Sequence, residues 1–275
     1  MGEGYSPKGI QERGMRGISY SELTLLKLIT PVIFNVMNSP DFFDNQLLES
    51  MINKFYGYGN YQGDYWFIGM EESGGDFANI NHRINTWSKR GGQEIEDMAE
   101  YYTAMAAGET NIQPTWKGLI RIILSAKGYK NITTKHITEY QINSLGRKNK
   151  ETCLLELFPL PSPSTRHWLY GQHSQLSFLT DRDTYRKHCV EKRVNHLNQK
   201  IVECQPKAVV FYGKGYEYYW KKLTDVEFLP TIEGFLVGKN SQTIFVIAKH
   251  PVAFGTSNEY FHNIGKLITS KFSKK

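Results

Sequence analysis

The stretch Asp64-Tyr65-Trp66-Phe67-Ile68-Gly69-Met70-Glu71-Glu72-Ser73-Gly74-Gly75-Asp76 passes from aromatic and apolar residues directly into two carboxylates and a pair of glycines. A run of bulky β-formers closed by glycine reads as a short core strand. Glu-Glu-Ser-Gly-Gly cannot continue it, because glycines and charges favour a tight, exposed loop. Glu71 and Glu72 are therefore expected at a strand's carboxyl end, where open α/β sheets bind ligands in the crevice beyond the sheet. Taken alone, a Glu-Glu pair is more often a solvated loop between strand and helix. What gives this one weight lies further along the chain.

Three more strands are expected. Residues 152–158 (Thr-Cys-Leu-Leu-Glu-Leu-Phe) are near-continuous in apolar residues, as parallel strands are, with Glu156 as the anomaly, and they run into Pro159-Leu160-Pro161-Ser162-Pro163-Ser164. Residues 207–212 (Lys-Ala-Val-Val-Phe-Tyr) lead into Gly213-Lys214-Gly215, which lacks the glycine spacing and Lys-Ser/Thr ending of a phosphate-cradling Walker loop. Residues 243–248 end in Lys249-His250-Pro251-Val252-Ala253-Phe254-Gly255. Between these strands, helical patterns cover 77–88, 94–106, 116–126 and 133–145. Another runs from a cap at Asp181 or Asp183 to about Cys204, with Val190, Val194, Leu197 and Ile201 on one face, and a last one starts near Ser257. Upstream, Ser21 caps a helix over Leu23 and Leu26, and Leu47, Leu48, Met51 and Phe55 repeat at helical spacing until Gly57-Tyr58-Gly59-Asn60 ends that lead-in. Residues 1–20, Gly-rich with Lys8, Arg13 and Arg16, read as a flexible basic arm. The alternation predicts an α/β fold in which three layers, α/β/α, enclose a central four-stranded, mainly parallel sheet, all in one domain spanning 21–275 with a helical N-terminal extension.

The chain has 275 residues, of which 40% are hydrophobic, enough for one substantial core. A net charge of +6 admits a polyanionic partner, and 13% aromatic content beside Lys and Arg is what stacking on bases next to phosphates requires. The three cysteines, Cys153, Cys189 and Cys204, are odd in number and irregularly spaced, which argues against a disulfide framework and a zinc or iron–sulfur site. No signal-peptide core and no membrane-length apolar run is present, so the expectation is a cytoplasmic protein with no cofactor, no metal, no membrane association and no obligate protein partner.

The pieces Gly69-Met70-Glu71, Leu154-Leu155-Glu156-Leu157-Phe158-Pro159, Pro206-Lys207-Ala208-Val209-Val210-Phe211-Tyr212-Gly213 and His250-Pro251 stand at domain-like spacing, and in that order the chain resembles the uracil-DNA glycosylase superfamily. The resemblance spans about 64–265. It departs in three places. Where family members show Gly-Gln-Asp-Pro-Tyr or Gly-Ile-Asn-Pro-Gly, this chain has Gly69-Met70-Glu71-Glu72-Ser73. Where they often show His-Pro-Ser-Pro-Leu, it has His250-Pro251-Val252-Ala253-Phe254. The Asn that reads the uracil edge in many members is matched by Glu156.

What the resemblance implies is a monofunctional DNA glycosylase, acting on DNA by flipping a pyrimidine out of the stack. A carboxylate stabilises the oxocarbenium-like sugar and orients water, and a donor at the base oxygen stabilises the leaving group. Glu71 matches the carboxylate position, Glu72 takes that role if the loop is shifted by one residue, and His250 matches the donor. Glu156, with Phe77 as stacking platform and Met70 and Phe158 beside them, would hold the base. Phe254 matches the wedge that fills the vacated stack, and Lys249, Ser162, Ser164, Arg166 and Lys214 would contact DNA. An ionised Glu only accepts hydrogen bonds, which suits the amino group of cytosine better than uracil's edge. Glu156 therefore points toward a modified cytosine, hydroxymethylated or glucosylated, and toward defence against phage with modified DNA. Uracil excision in repair, a non-catalytic DNA-binding protein of the same fold and a nucleotide-binding α/β enzyme are the alternatives.

Overall fold

The computed structural model describes residues 41–105 and 111–272. Eight strands form one mixed sheet: β1 (Gly57–Gly59), β2 (Tyr65–Gly69), β3 (Ile95–Glu96), β4 (Thr152–Glu156), β5 (Ala208–Tyr212), β6 (Leu229–Pro230), β7 (Leu236–Lys239) and β8 (Ile244–Ala248), in the order β3-β1-β4-β2-β5-β8-β7-β6. The four strands read from sequence are the parallel run β4-β2-β5-β8 at its centre. β2 and β8 are buried at every residue, and β4 and β5 at all but their last, Glu156 and Tyr212. Covering both faces of a parallel strand demands apolar residues at consecutive positions, which is why these four were legible as runs rather than alternations.

The sheet is twice as wide as the four strands expected. On one edge β1 pairs antiparallel with β4, and β3 pairs parallel with β1. On the other, β7 runs antiparallel to β8 and β6 to β7. These edge strands have two to four residues and carry Gly57, Gly59, Pro230 and Gly238, too short and too glycine-rich to show a period. The Gly57-Tyr58-Gly59 segment, expected to close a helix, is a strand because its two glycines have no side chain to keep it from β4. A Cβ at Gly57 would fall 2.0 Å from the Leu154 carbonyl oxygen and one at Gly59 2.2 Å from that of Thr152, with φ of 146° and 112°. The helix expected over 94–106 likewise begins later, since Ile95–Glu96 joins the sheet first.

The helices are α1 (Asn45–Lys54), α2 (Phe77–Lys89), α3 (Met98–Ala104), α4 (Pro114–Ala126), α5 (Thr134–Asn143), α6 (Arg182–Cys204) and α7 (Asn258–Phe272), with shorter turns between. Asp76, Asp97 and Asp181 cap α2, α3 and α6, each carboxylate accepting from a backbone N–H of the first turn, at 2.9, 2.9 and 2.8 Å. Asp181, not Asp183, is therefore the cap of the long helix. That helix buries Tyr185, Cys189, Val194, Leu197, Ile201 and one charge, Arg193. The Arg193 guanidinium donates to the carbonyls of Leu157 (2.9 Å), Glu156 (2.8 Å) and Phe55 (2.7 Å), and lies 3.5 Å over the Tyr56 ring. A buried cation with no carboxylate is tolerated because carbonyl dipoles and an aromatic face replace its hydration.

The described residues from 42 onward make up one compact unit. The helix expected from Ser21 and the basic arm 1–20 lie outside the described residues. Among the described residues no helix is long and apolar enough to cross a membrane. Gly57→Ala is expected to lower stability by about 2–4 kcal/mol, through the collision with Leu154 and the strained φ, read as a lower midpoint of chemical denaturation. A midpoint within error of the parent would show that β1 need not approach β4 so closely.

Candidate active site

Because β4, β2, β5 and β8 are parallel, their carboxyl ends lie along one edge of the sheet. The chain returns from β2 to β4 on one side and then to β5 on the other, so a crevice is expected at the end of β2. Backbone pairing continues beyond the strands there. Leu157 N–H donates to Gly69 O (2.8 Å), Phe158 N–H to Met70 O (2.8 Å), Ser162 N–H to Glu72 O (3.0 Å) and Gly74 N–H to Ser162 O (2.8 Å). The acidic loop and the proline-rich loop are thus closed onto each other along one wall of a cavity of about 620 Å³. Met70, Glu71, Glu72, Glu156, Tyr212 and His250 line it, and Tyr58, Tyr101, Tyr102 and Trp116 form an aromatic face.

Glu156 is the most perturbed of the acids. Its Oε1 accepts from the Tyr212 hydroxyl at 2.8 Å, while Oε2 is buried and makes no hydrogen bond. Oε2 occupies space that exists only because residue 69 is glycine, since a Cβ there would lie 2.5 Å from it and 2.3 Å from Tyr212 Oη. Burial, followed by the negative charges of Glu72 and Glu71, pushes the Glu156 carboxyl well above the usual carboxylate range, and the Tyr212 hydrogen bond only partly opposes this. In the protonated form favoured by that shift, Oε1 would accept from Tyr212 and the proton would sit on Oε2, which has no acceptor in the protein. The upward shift runs against the expectation of an ionised, accept-only Glu156 and favours a carboxyl that can donate as well as accept.

Glu71 and Glu72 differ sharply. Glu71 pairs with Arg182 through its Oε1 and with Arg186 at 3.7 Å through Oε2. Arg182 also donates to Ser162 Oγ (2.7 Å), Ser164 O (2.6 Å) and His167 O (2.7 Å), and stacks at 5.1 Å on Trp168. Glu71 is thus held inside a guanidinium clamp. Glu72 faces one looser cation, Arg83 at 3.5 Å, and accepts from the Tyr58 hydroxyl. Burial raises its pKa, with Arg83 the main opposing influence. His250, half-buried beside Tyr212, is held below the usual imidazole value by burial. Its Nδ1 accepts from Val252 N–H at 3.4 Å, which leaves the proton of the neutral ring on Nε2.

Of the other expected site residues, Ser162 and Ser164 line the cavity and the rest do not. Phe77 packs at 4.6 Å on Phe43 and 4.7 Å on His173, and Phe158 is fully buried between Tyr185 and Tyr219; neither is on the cavity wall. Position one of a helix and the end of a strand point these rings into the core. Ser162 is buried, its hydroxyl accepting from Arg182 and donating to the carbonyls of His167 (2.8 Å) and Ser164 (3.1 Å), so its donor is used internally. Lys214 Nζ donates to Gly234 O at 3.1 Å and does not line the cavity. Ser164 sits on the rim, Arg166 is exposed beside it, Lys249 is half-buried and Phe254 is fully exposed on the turn after His250.

The residues missed from sequence are Arg182, Arg186, Arg83 and the aromatic wall. A signal existed for the first two. Arginines one turn apart at the start of α6 stand at the positive end of a helix dipole, a placement that calls for a nearby acid. Among the described residues, no group of three or more His, Cys, Asp or Glu is arranged to hold a metal ion. In comparison with known proteins, the chain matches no family model and no curated protein.

Folding a carboxyl into a site that raises its pKa makes the native state bind more protons than the unfolded chain. Stability then falls as pH rises above the unfolded value of about 4.3, and levels off only above the folded value. Glu156→Gln removes this dependence. Thermal melts between about pH 5 and about pH 8 should therefore show the wild type losing ground to the variant as pH rises. A gap that stays constant or narrows would mean Glu156 is ionised in the fold.

Proposed function

We propose that the chain is a divergent member of the uracil-DNA glycosylase superfamily, with the three-layer α/β/α arrangement that membership implies, and that it hydrolyses the N-glycosidic bond of a flipped-out pyrimidine in DNA. The observation that carries this reading is the convergence of Glu72, Glu156 and His250, delivered by three separate strand ends, on one cavity. In this scheme Glu72 takes the carboxylate role, because Glu71 is engaged by two arginines whereas burial raises the pKa of Glu72 and with it its basicity toward water. The Nε2–H of His250 donates to the base carbonyl, where negative charge develops as the bond breaks. Glu71 with Arg182 and Arg186 acts as a brace between the two loops.

A modified cytosine is the base we favour. The cavity, at about 620 Å³, is of the size that holds drug-like ligands, well beyond an unsubstituted pyrimidine, which leaves room for a hydroxymethyl or glucosyl group at C5 and fits a role in defence against phage with modified DNA. Uracil is the second reading, supported by the neutral state of Glu156, whose O–H can donate to a carbonyl such as O4.

Abasic-site formation on duplexes carrying uracil, hydroxymethyluracil, hydroxymethylcytosine or glucosylated hydroxymethylcytosine tests the proposal. Glu72→Gln is expected to slow single-turnover excision by about 10²–10⁴-fold, and His250→Ala by about 10²–10³-fold, with DNA binding retained. The rate should rise with pH as Glu72 ionises. No abasic site on any of the four, alongside salt-sensitive DNA binding, would make the protein a non-catalytic binder, and undiminished excision by Glu72→Gln would remove Glu72 from the mechanism.

A further inference from the structure

Cytosine is a harder base to expel than uracil. A departing uracil spreads its negative charge over an imide flanked by two carbonyls, whereas cytosine has one carbonyl and an amidine-like N3, so its anion is less stable and departure is eased by a proton. Resting on the glycosylase reading above, we propose that Glu156 is the general acid of the reaction, delivering its carboxyl proton to N3 of a departing cytosine-type base.

The geometry meets three requirements for such an acid. First, the group must be on the cavity wall and free of a cation that would claim it. Glu156 lines the cavity, and Arg193, the cation nearest in the fold from α6, donates to its backbone carbonyl at 2.8 Å and not to its carboxyl. The other cations are spoken for, Arg182 and Arg186 by Glu71 and Arg83 by Glu72 and the Ser73 carbonyl (2.9 Å). Second, the neighbours must favour the protonated form. Burial and the carboxyls of Glu72 and Glu71 from the loop after β2 favour it, and they outweigh the Tyr212 hydroxyl from β5 and the Arg193 charge from α6, which favour the ionised form; beyond Tyr212 stands His250 after β8. Third, the proton must be transferable. Oε1 is engaged by Tyr212, so the O–H is on Oε2, which has no protein partner. The last torsion of a Glu side chain is soft, and turning the O–H toward a bound base takes it out of the space beside Gly69 and exchanges the Tyr212 hydrogen bond for one to N3.

The step balances. As C1′–N1 breaks, its electron pair passes into the base, the Glu156 O–H bond breaks and an N3–H bond forms, and the base leaves as a neutral tautomer. Water oxygen bonds to C1′ while its proton goes to the Glu72 carboxylate. Glu156 ends ionised and Glu72 protonated, and proton transfer from the second to the first, directly or through solvent, restores the resting state.

Glu156→Gln separates acid catalysis from base reading, because an amide keeps the shape and can still donate to N3 and accept from the 4-amino group but cannot release a proton. Single-turnover excision would be measured across pH on hydroxymethylcytosine and hydroxymethyluracil duplexes, with binding followed in parallel. The expected result is a loss of about 10²–10³-fold on the cytosine-type base, with a much smaller loss on the uracil-type base and near-unchanged binding. The wild-type rate should fall at alkaline pH and the variant should lack that fall. Tyr212→Phe removes a hydrogen bond that favours ionised Glu156, so its alkaline fall should move to higher pH. Equal losses on the two bases, or an alkaline fall that persists in Glu156→Gln, would reduce Glu156 to a positioning residue. Wild-type excision confined to uracil-type bases overturns this inference and leaves the glycosylase reading standing, whereas no excision on any base overturns both.

Discussion

The site depends on one stretch of parallel pairing, between β2 and β4 and onward through the loops that leave them. Register places Gly69 opposite Glu156. From there the backbone bonds of Leu157, Phe158, Ser162 and Gly74 carry the pairing past the sheet edge, so that two loops with no regular structure are tied to each other through their backbones. A shift of one residue would exchange the faces of every side chain in β4 and turn Glu156 away from the cavity. Gly69 permits the arrangement, since any side chain there would occupy the volume taken by the Glu156 carboxyl and the Tyr212 hydroxyl.

Charge is placed around this pairing with the same economy. Arg193 binds carbonyls from the end of α1 and from β4, which fixes the strand end that carries Glu156 without touching its carboxyl. Arg182 and Arg186 take up Glu71, and Arg182 reaches across to Ser162 and the carbonyls around it. Three acids that would repel one another in a poorly hydrated site are thereby sorted into a paired one, a loosely paired one and one with no cation on its carboxyl, whose pKa burial pushes up. Divergence of this kind between neighbouring carboxyls is how a site obtains an acid and a base at the same pH.

Much of the centre of the fold was legible in the chain. β2, β4, β5 and β8 are buried on both faces and so announce themselves as apolar runs, and the polar residues at their ends, Glu71, Glu72, Glu156 and His250, stood out against them. The edge strands did not, because β1 owes its approach to β4 to the bare Gly57 and Gly59 and β3 and β6 have two residues each. Glu156 was visible as an anomaly, but its raised pKa was not, since that comes from burial and from two acids brought close only by folding, with Tyr212 opposing. Phe77 and Phe158 illustrate the limit of reading position from proximity in sequence. Both adjoin the motif residues along the chain, yet both point into the core. Choosing Glu72 over Glu71 likewise required Arg182 and Arg186, which lie more than a hundred residues downstream.

The account turns on a neutral carboxyl at the end of β4, and infrared difference spectroscopy of wild type against Glu156→Gln near neutral pH observes it directly. The result predicted is a protonated-carboxyl carbonyl band in the wild type that is missing from the variant, shifts in heavy water and fades as the solution is made alkaline. If the difference spectrum instead shows only the paired bands of an ionised carboxylate, Glu156 is charged in the folded protein and both its place as a donor to the base and the sorting of the three acids are wrong.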